Sequence, residues 1–261
     1  MQRRDFLIFA AASGLLSGTV AAAPVAGTAL SLPVAINKSG RLRMLSQRGA
    51  KAWLLLVQGV LPDRAKSILA QSLASFEQIL GELKTLQPGD DIRSLAQALD
   101  QEWRAYRPLL ADVRADPKAV WSHSEAVLAA AQALTVAYEK AAGTSSGKLV
   151  NLSGRQRMLS QRMAKAYLFR QMGINAAEAG SMLDTAMKEF AKAHDDLKAA
   201  PQSTAQIKSE LALVEQQWFF FQNALQLRAA TDRVKAASDV GTTSERILEQ
   251  MDLVVGLYER L

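Results

Sequence analysis

The 261-residue sequence predicts an all-α protein of two tandem four-helix up-down units, either packed as separate bundles or merged into one elongated helical bundle. Three observations predict it. Alanine, leucine and glutamine are abundant, whereas aromatic residues make up 6% and there are only seven prolines, a mixture that favours helices over strands. Apolar residues recur at three- and four-residue steps, as in Leu42, Leu45, Gly49, Ala52 and Leu56, or Ile68, Leu69, Leu73, Phe76, Leu80 and Leu83. No strand alternation of useful length occurs. Finally, residues 37–54 (NKSGRLRMLSQRGAKAWL) return as residues 151–168 (NLSGRQRMLSQRMAKAYL), identical at all but four positions.

The elements follow in order. Residues 1–30 read as an address: Arg3-Arg4-Asp5-Phe6-Leu7 resembles a twin-arginine export signal, followed by an interrupted apolar stretch from Phe6 to Ala23 and small residues near Ala22 to Ala29. The mature protein is therefore expected in the periplasm, with no membrane span once the signal is removed; the other reading is an uncleaved anchor, since 18 residues barely span a bilayer. The first unit, 31–144, divides into helices near 33–60, 63–86, 91–113 and 117–142, because Pro62-Asp63, Pro88-Gly89-Asp90 and Asp116-Pro117 are stop-and-start signals. The second unit, 145–261, divides into helices near 146–172, 175–199, 203–228 and 231–260, with breaks at Gly173, Pro201 and Thr231. Gly143-Thr144-Ser145-Ser146-Gly147 separates the units, as a short linker or as a bend in one long helix. Landmarks hold the register beyond the motif: Phe76 answers to Phe190, Trp103 to Trp218 and Tyr138-Glu139 to Tyr258-Glu259.

Composition excludes much chemistry. With no cysteine there is no disulfide, thiolate metal site or cysteine nucleophile. The two histidines, His123 and His194, fall in different units and read as surface or capping residues, so neither a metal centre nor a catalytic triad is expected. No Glu-x-x-His pair of a carboxylate-bridged metal bundle is present. Met44, Met158 and Met163 read as core filling, and Trp218-Phe219-Phe220-Phe221 as a densely buried stretch or a dimer contact. The expectation is of a non-enzyme without cofactor or metal. Basic and aromatic residues do not interleave as single-stranded nucleic acid would require.

Charge is where function shows. The net charge is +6, yet no acid occurs between Asp5 and Asp63 or between Glu139 and Glu178, and these gaps hold five and seven cations. Outside the gaps and the address segment the chain is net acidic. Two cationic helices thus lie in an acidic body, and neither supplies its own i±3 or i±4 acid partners. Ile36, Gly40, Arg43, Gln47, Ala50 and Leu54 fall on one helical stripe, matched by Val150, Gly154, Arg157, Gln161, Ala164 and Leu168. Gly40 and Gly154 allow close approach of the two helices, and one turn later Arg43 and Arg157 face one another. Two guanidiniums in a partly buried seam repel, and an anion between them relieves the repulsion. A planar guanidinium suits a flat oxyanion such as nitrate. Arg41, Arg48, Arg155 and Arg162 point elsewhere and are expected to form salt bridges with acids of adjacent helices. Gln47 and Gln161, like Ser46 and Ser160, either orient a ligand or an arginine or make helix-to-helix hydrogen bonds.

The run Ile36-Asn37-Lys38-Ser39-Gly40-Arg41-Leu42-Arg43-Met44-Leu45-Ser46-Gln47-Arg48 resembles the N-terminal sensory motif of the NarX/PilJ family, the periplasmic four-helix modules of nitrate/nitrite sensor kinases and type IV pili chemotaxis transducers. Its second copy, Asn151 to Arg162, is closer still to the pilus-transducer version. In the nitrate-sensor members the anion lies between equivalent motif helices of two subunits, and the arginine before the methionine makes the main contact. The resemblance therefore implies anion-binding roles for Arg43 and Arg157, room supplied by Gly40 and Gly154, and a part for the motif lysine, Lys38. Leu152 replaces that lysine in the second copy, so a shared site is asymmetric. Together these features predict a periplasmic nitrate or nitrite binding or sensing protein without its own output domain. Such a protein passes its signal to a partner such as a sensor, transporter or reductase. The alternative is a helical protein–protein adaptor of a periplasmic or pilus/chemotaxis signalling complex with no small-molecule ligand.

Overall fold

A computed structural model describes residues 31–85, 89–226 and 232–261. The expected export signal, residues 1–30, lies outside them. Eight helices and no strands occur among the described residues: α1 (Leu32–Val57), α2 (Pro62–Thr85), α3 (Asp90–Ala111), α4 (Pro117–Ala142), α5 (Ser145–Gln171), α6 (Ala176–Ala199), α7 (Ala205–Gln226) and α8 (Arg233–Glu259). The fold is an all-α bundle. None of these helices is long and apolar enough to cross a membrane.

Helix ends fall where local chemistry places them. Pro62 and Pro117 begin α2 and α4, where a missing N–H is tolerated. The Asp116 carboxylate caps α4 by accepting from the Lys118 backbone N–H at 3.0 Å. Gly143 closes that helix in the left-handed region at φ 62°, and the Thr144 hydroxyl then caps α5 by accepting from the Gly147 N–H. The segment between the units is therefore a sharp break, not a bend in a continuous helix. Asp116→Ala is expected to lower stability by about 1 kcal/mol in a denaturant melt, with unchanged helical circular dichroism.

The two motif helices occupy the centre. α1 and α5 make the most extensive helix pair, and each also packs on the helices of its own half, α1 on α2 and α4, α5 on α6 and α8. Hydrogen bonds and ion pairs from α1 climb both α4 and α8 as those helices descend, for example Asn37 to Glu259, Arg41 to Asp252 and Lys51 to Ser244. α5 treats α4 in the same way, through Asn151 to Glu139 and Lys165 to Ser124. Since both motif helices run antiparallel to α4 and α8, they run parallel to each other. α3 packs on α4 and α7 on α8 as the outer layers.

One continuous core includes residues of all eight helices. It is pinned on each flank by an equivalent aromatic stack, Phe76 on Trp103 with centroids 3.7 Å apart and Phe190 on Trp218 at 4.4 Å. Because α1 and α5 are surrounded, burial on them is not confined to the expected seam. Leu42, Leu45, Gly49 and Ala52 are buried, and so is the opposite stripe of Ile36, Gly40, Arg43, Gln47, Ala50 and Leu54. Central placement buries both faces of a helix whose polar residues must then find partners inside the protein.

Two expectations need correction. His194 is not a surface or capping residue: it is buried with its ring parallel to Phe190, and burial pulls its pKa down. The aromatic run on α7 is not uniformly buried. Trp218 and Phe221 face the core, whereas Phe219 and Phe220 are 61% and 56% exposed, because successive residues on one helix turn through 100°.

Candidate functional site

Arg43 and Arg157 are among the largest fully buried side chains of the protein. Helical side chains lean toward the N-terminus, so each guanidinium lies back over its own motif glycine, one turn earlier. A Cβ placed on Gly40 would stand 3.0 Å from Arg43 Nη2. One placed on Gly154 would stand 3.3 Å from Arg157 Nη2 and 3.6 Å from Arg43 Nη2. The two guanidinium ends thus converge over Gly154, no farther apart than those two distances laid end to end.

This geometry revises the role of the glycines. They were expected to let the helix backbones approach, yet the nearest atoms to either missing Cβ belong to the arginine heads. The space they leave is taken by guanidinium. Gly40→Ala consequently separates fold from site. Alanine favours the helix by roughly 1 kcal/mol over glycine, while its methyl group pushes Arg43 away from its resting place. The expected result is an undiminished melting temperature together with at least a tenfold loss of whatever affinity the arginine pair confers.

Partners around the pair are unequal. Arg157 Nη1 donates to Asp252 Oδ1 at 2.6 Å and its Nη2 to Asn37 Oδ1 at 2.8 Å. Arg43 Nη1 donates to the carboxamide oxygen of Gln132, and its Nη2 makes a long 3.4 Å contact with the Asn151 carbonyl. Among the described residues no carboxylate is in ion-pair contact with Arg43. The Nε–H of both arginines is buried without a hydrogen-bond partner there, as is the carboxamide oxygen of both Gln47 and Gln161. Burial, and then repulsion by Arg155 and Arg157, pulls the Arg43 pKa down to about 9, with Glu139 opposing the fall. Burial also lowers that of Arg157, opposed chiefly by Asp252. Arg43 therefore remains a cation at neutral pH.

The other predicted residues take other places. Arg41 pairs with Asp252, Arg48 with Glu245, Arg155 with Glu189 and Arg162 with Glu125, each acid coming from a neighbouring helix. Gln47 and Gln161 donate to the Ser124 and Ser244 carbonyls, both at 2.9 Å, and so tie α1 to α4 and α5 to α8. Lys38 does not join the arginine pair. Its ammonium is held by Glu82 of α2, beside a surface pocket of about 300 Å³ that it shares with Asn37 and Arg41.

Residues that sequence reasoning missed complete the setting. Lys51 and Lys165 are fully buried, one turn beyond the glutamines. Lys51 and Arg48 of the first half share Glu245 of the second, and Lys165 and Arg162 of the second half share Glu125 of the first. Each ammonium also donates to the serine preceding that glutamate, and Lys165 lies over the Trp121 ring as well. Two mirrored clusters therefore clamp the halves together below the arginines. A signal was present: Ser124-Glu125 and Ser244-Glu245 repeat at the spacing of Tyr138 and Tyr258.

The model of one family, the N-terminal domain of the type IV pili methyl-accepting chemotaxis transducer (PilJ), matches residues 28–129 and, a second time, residues 141–252. Comparison with curated proteins and with solved structures returns no match.

Proposed function

The chain belongs to the PilJ family of type IV pili methyl-accepting chemotaxis transducer N-terminal domains, and we propose that it is a periplasmic sensory protein that holds a small oxyanion, nitrate or nitrite, between Arg43 and Arg157. The family's description names a chemotaxis transducer, which places the chain in signalling. The nitrate side of the reading rests on the motif and on the chemistry of the pair.

The single observation that carries it is the convergence of two buried guanidiniums over Gly154, with Arg43 lacking any carboxylate contact among the described residues. An uncompensated cation in a core costs several kcal/mol, and a bound anion removes that penalty while accepting from the unpaired Nε–H groups. In the nitrate sensors that the motif resembles, such a pair forms across two subunits. Here both motif copies lie in one chain, so a monomer brings them together. With the binding site between the halves, ligand binding biases how α1 and α5 pack. A protein partner then reads the altered outer surface.

Isothermal titration of the mature protein with nitrate, nitrite, sulfate and phosphate tests the reading. Saturable binding of a nitrogen oxyanion near one equivalent per chain is expected. No heat with any of the four removes the ligand and leaves the adaptor reading, for which the exposed Phe219 and Phe220 offer a contact.

A further inference from the structure

The two halves obey an approximate twofold relation that fails at one telling pair of positions. Ser124 and Ser244 play the same role toward the glutamines, and Glu125 and Glu245 the same role toward the lysines. The same spacing equates Gln132 of α4 with Asp252 of α8, and both accept from Nη1 of the motif arginine of their own half. Asp252 spans two cations, Arg157 and Arg41. Gln132 carries no charge to offer. On its side Arg155, the counterpart of Arg41, turns instead to Glu189 of α6, where the first half has Ser75. Each flank therefore has an acid, but only Asp252 reaches the central pair.

We infer that Gln132 and Asp252 together set the charge of the guest, so that the site selects a monovalent oxyanion over a divalent one. The inference rests on the proposed anion site. Among the groups in direct contact with the buried pair, two guanidiniums meet one carboxylate, which the more exposed Arg41 shares from the solvent side, so the buried centre itself keeps an excess positive charge. A monoanion closes that balance, whereas a dianion leaves a net negative charge in a desolvated seam, where charge mismatch is heavily penalised. Carboxylates at both positions would satisfy both arginines internally and leave the guest nothing to neutralise. Carboxamides at both would leave two charges and favour a dianion. Gln132 also lines a groove of about 200 Å³ between α4 and α5, together with Arg155 and the Arg162–Glu125 pair.

Isosteric exchanges in the full mature protein test this, with competition titrations of nitrate against sulfate and a thermal melt of every variant. Wild type is expected to prefer nitrate by at least tenfold. Gln132→Glu should lose nitrate affinity by at least tenfold without gaining sulfate affinity. Asp252→Asn should gain sulfate affinity by a similar factor and lose the preference. The double variant Gln132→Glu with Asp252→Asn, which moves the uncompensated charge from Arg43 to Arg157, should recover the nitrate preference. That recovery is not expected if either residue merely supports the fold, and the double variant decides the matter should Asp252→Asn alone fail to fold. Wild-type nitrate affinity in Gln132→Glu, or an unrecovered preference in a folded double variant, overturns the inference while leaving the anion site standing. Absence of binding by wild type overturns both.

Discussion

Arg43→Ala is expected to reduce oxyanion binding by at least a hundredfold, because it removes the guanidinium that has no carboxylate contact among the described residues. The fold should survive. Truncation removes a buried cation whose burial is unfavourable, and it leaves the Gln132 carboxamide at the edge of a surface groove. Arg157→Ala differs in kind. It strands Asp252 with Arg41 alone, so lost binding should come with lost stability. Arg43 also sets a pH dependence. The Arg43 pKa lies at about 9, and only its protonated form attracts an anion. Affinity should be level through neutral pH and fall as pH rises through that value, a decline that titrations at stepped pH would register. A pH-independent affinity between about 7 and 10 would show that Arg43 stays protonated across that range.

Glu245→Gln is expected to destabilise the protein by about 3–5 kcal/mol. The change keeps the shape but leaves Lys51, fully buried, and Arg48, partly buried, without their counter-ion. In the intact cluster Lys51 is held down to about 8, since burial outweighs the pull of Glu245, while the Glu245 carboxyl is drawn to about 2 by Lys51 and Arg48 against its own burial. Both groups are charged at neutral pH. The sign of the acid dependence follows. The folded pKa of Glu245 lies below its ordinary value of 4.5, so its stabilising contribution is complete above that value and is lost as pH falls toward 2. That contribution is on the order of 3 kcal/mol. Wild type should therefore lose stability across that window in urea melts, and Glu245→Gln should lose correspondingly less. Identical slopes for the two proteins would mean that the cluster contributes nothing.

Much of this arrangement is legible in the sequence because it is local or repeated. Pro62, Asp116-Pro117 and Gly143 announce helix boundaries by their own backbone chemistry. The stripe holding Gly40 and Arg43 can be drawn from helical geometry, and duplication supplies its partner stripe. Acid partners for Arg41, Arg48, Arg155 and Arg162 follow from the absence of acids on their own helices. What was not legible comes from distant segments whose similarity has faded. Nothing near the motif indicates that α8 brings Asp252 to Arg157, or that α4 brings only Gln132 to Arg43. Lys51 and Lys165 looked like ordinary members of a cationic run. Only the central placement of α1 and α5, buried on both faces, turns them into clamps between the halves. Lys38 was misplaced for a related reason: a motif position says which residue is present, but Glu82 on α2 decides where its ammonium rests.

The most direct test is a crystal structure of the mature protein grown with millimolar nitrate, set beside one grown without it. A planar anion within hydrogen-bond distance of both Arg43 and Arg157, over Gly154, is the expected result. Contradiction would be a nitrate-containing crystal in which the two guanidiniums keep only protein partners and the anion binds at no shared position between them.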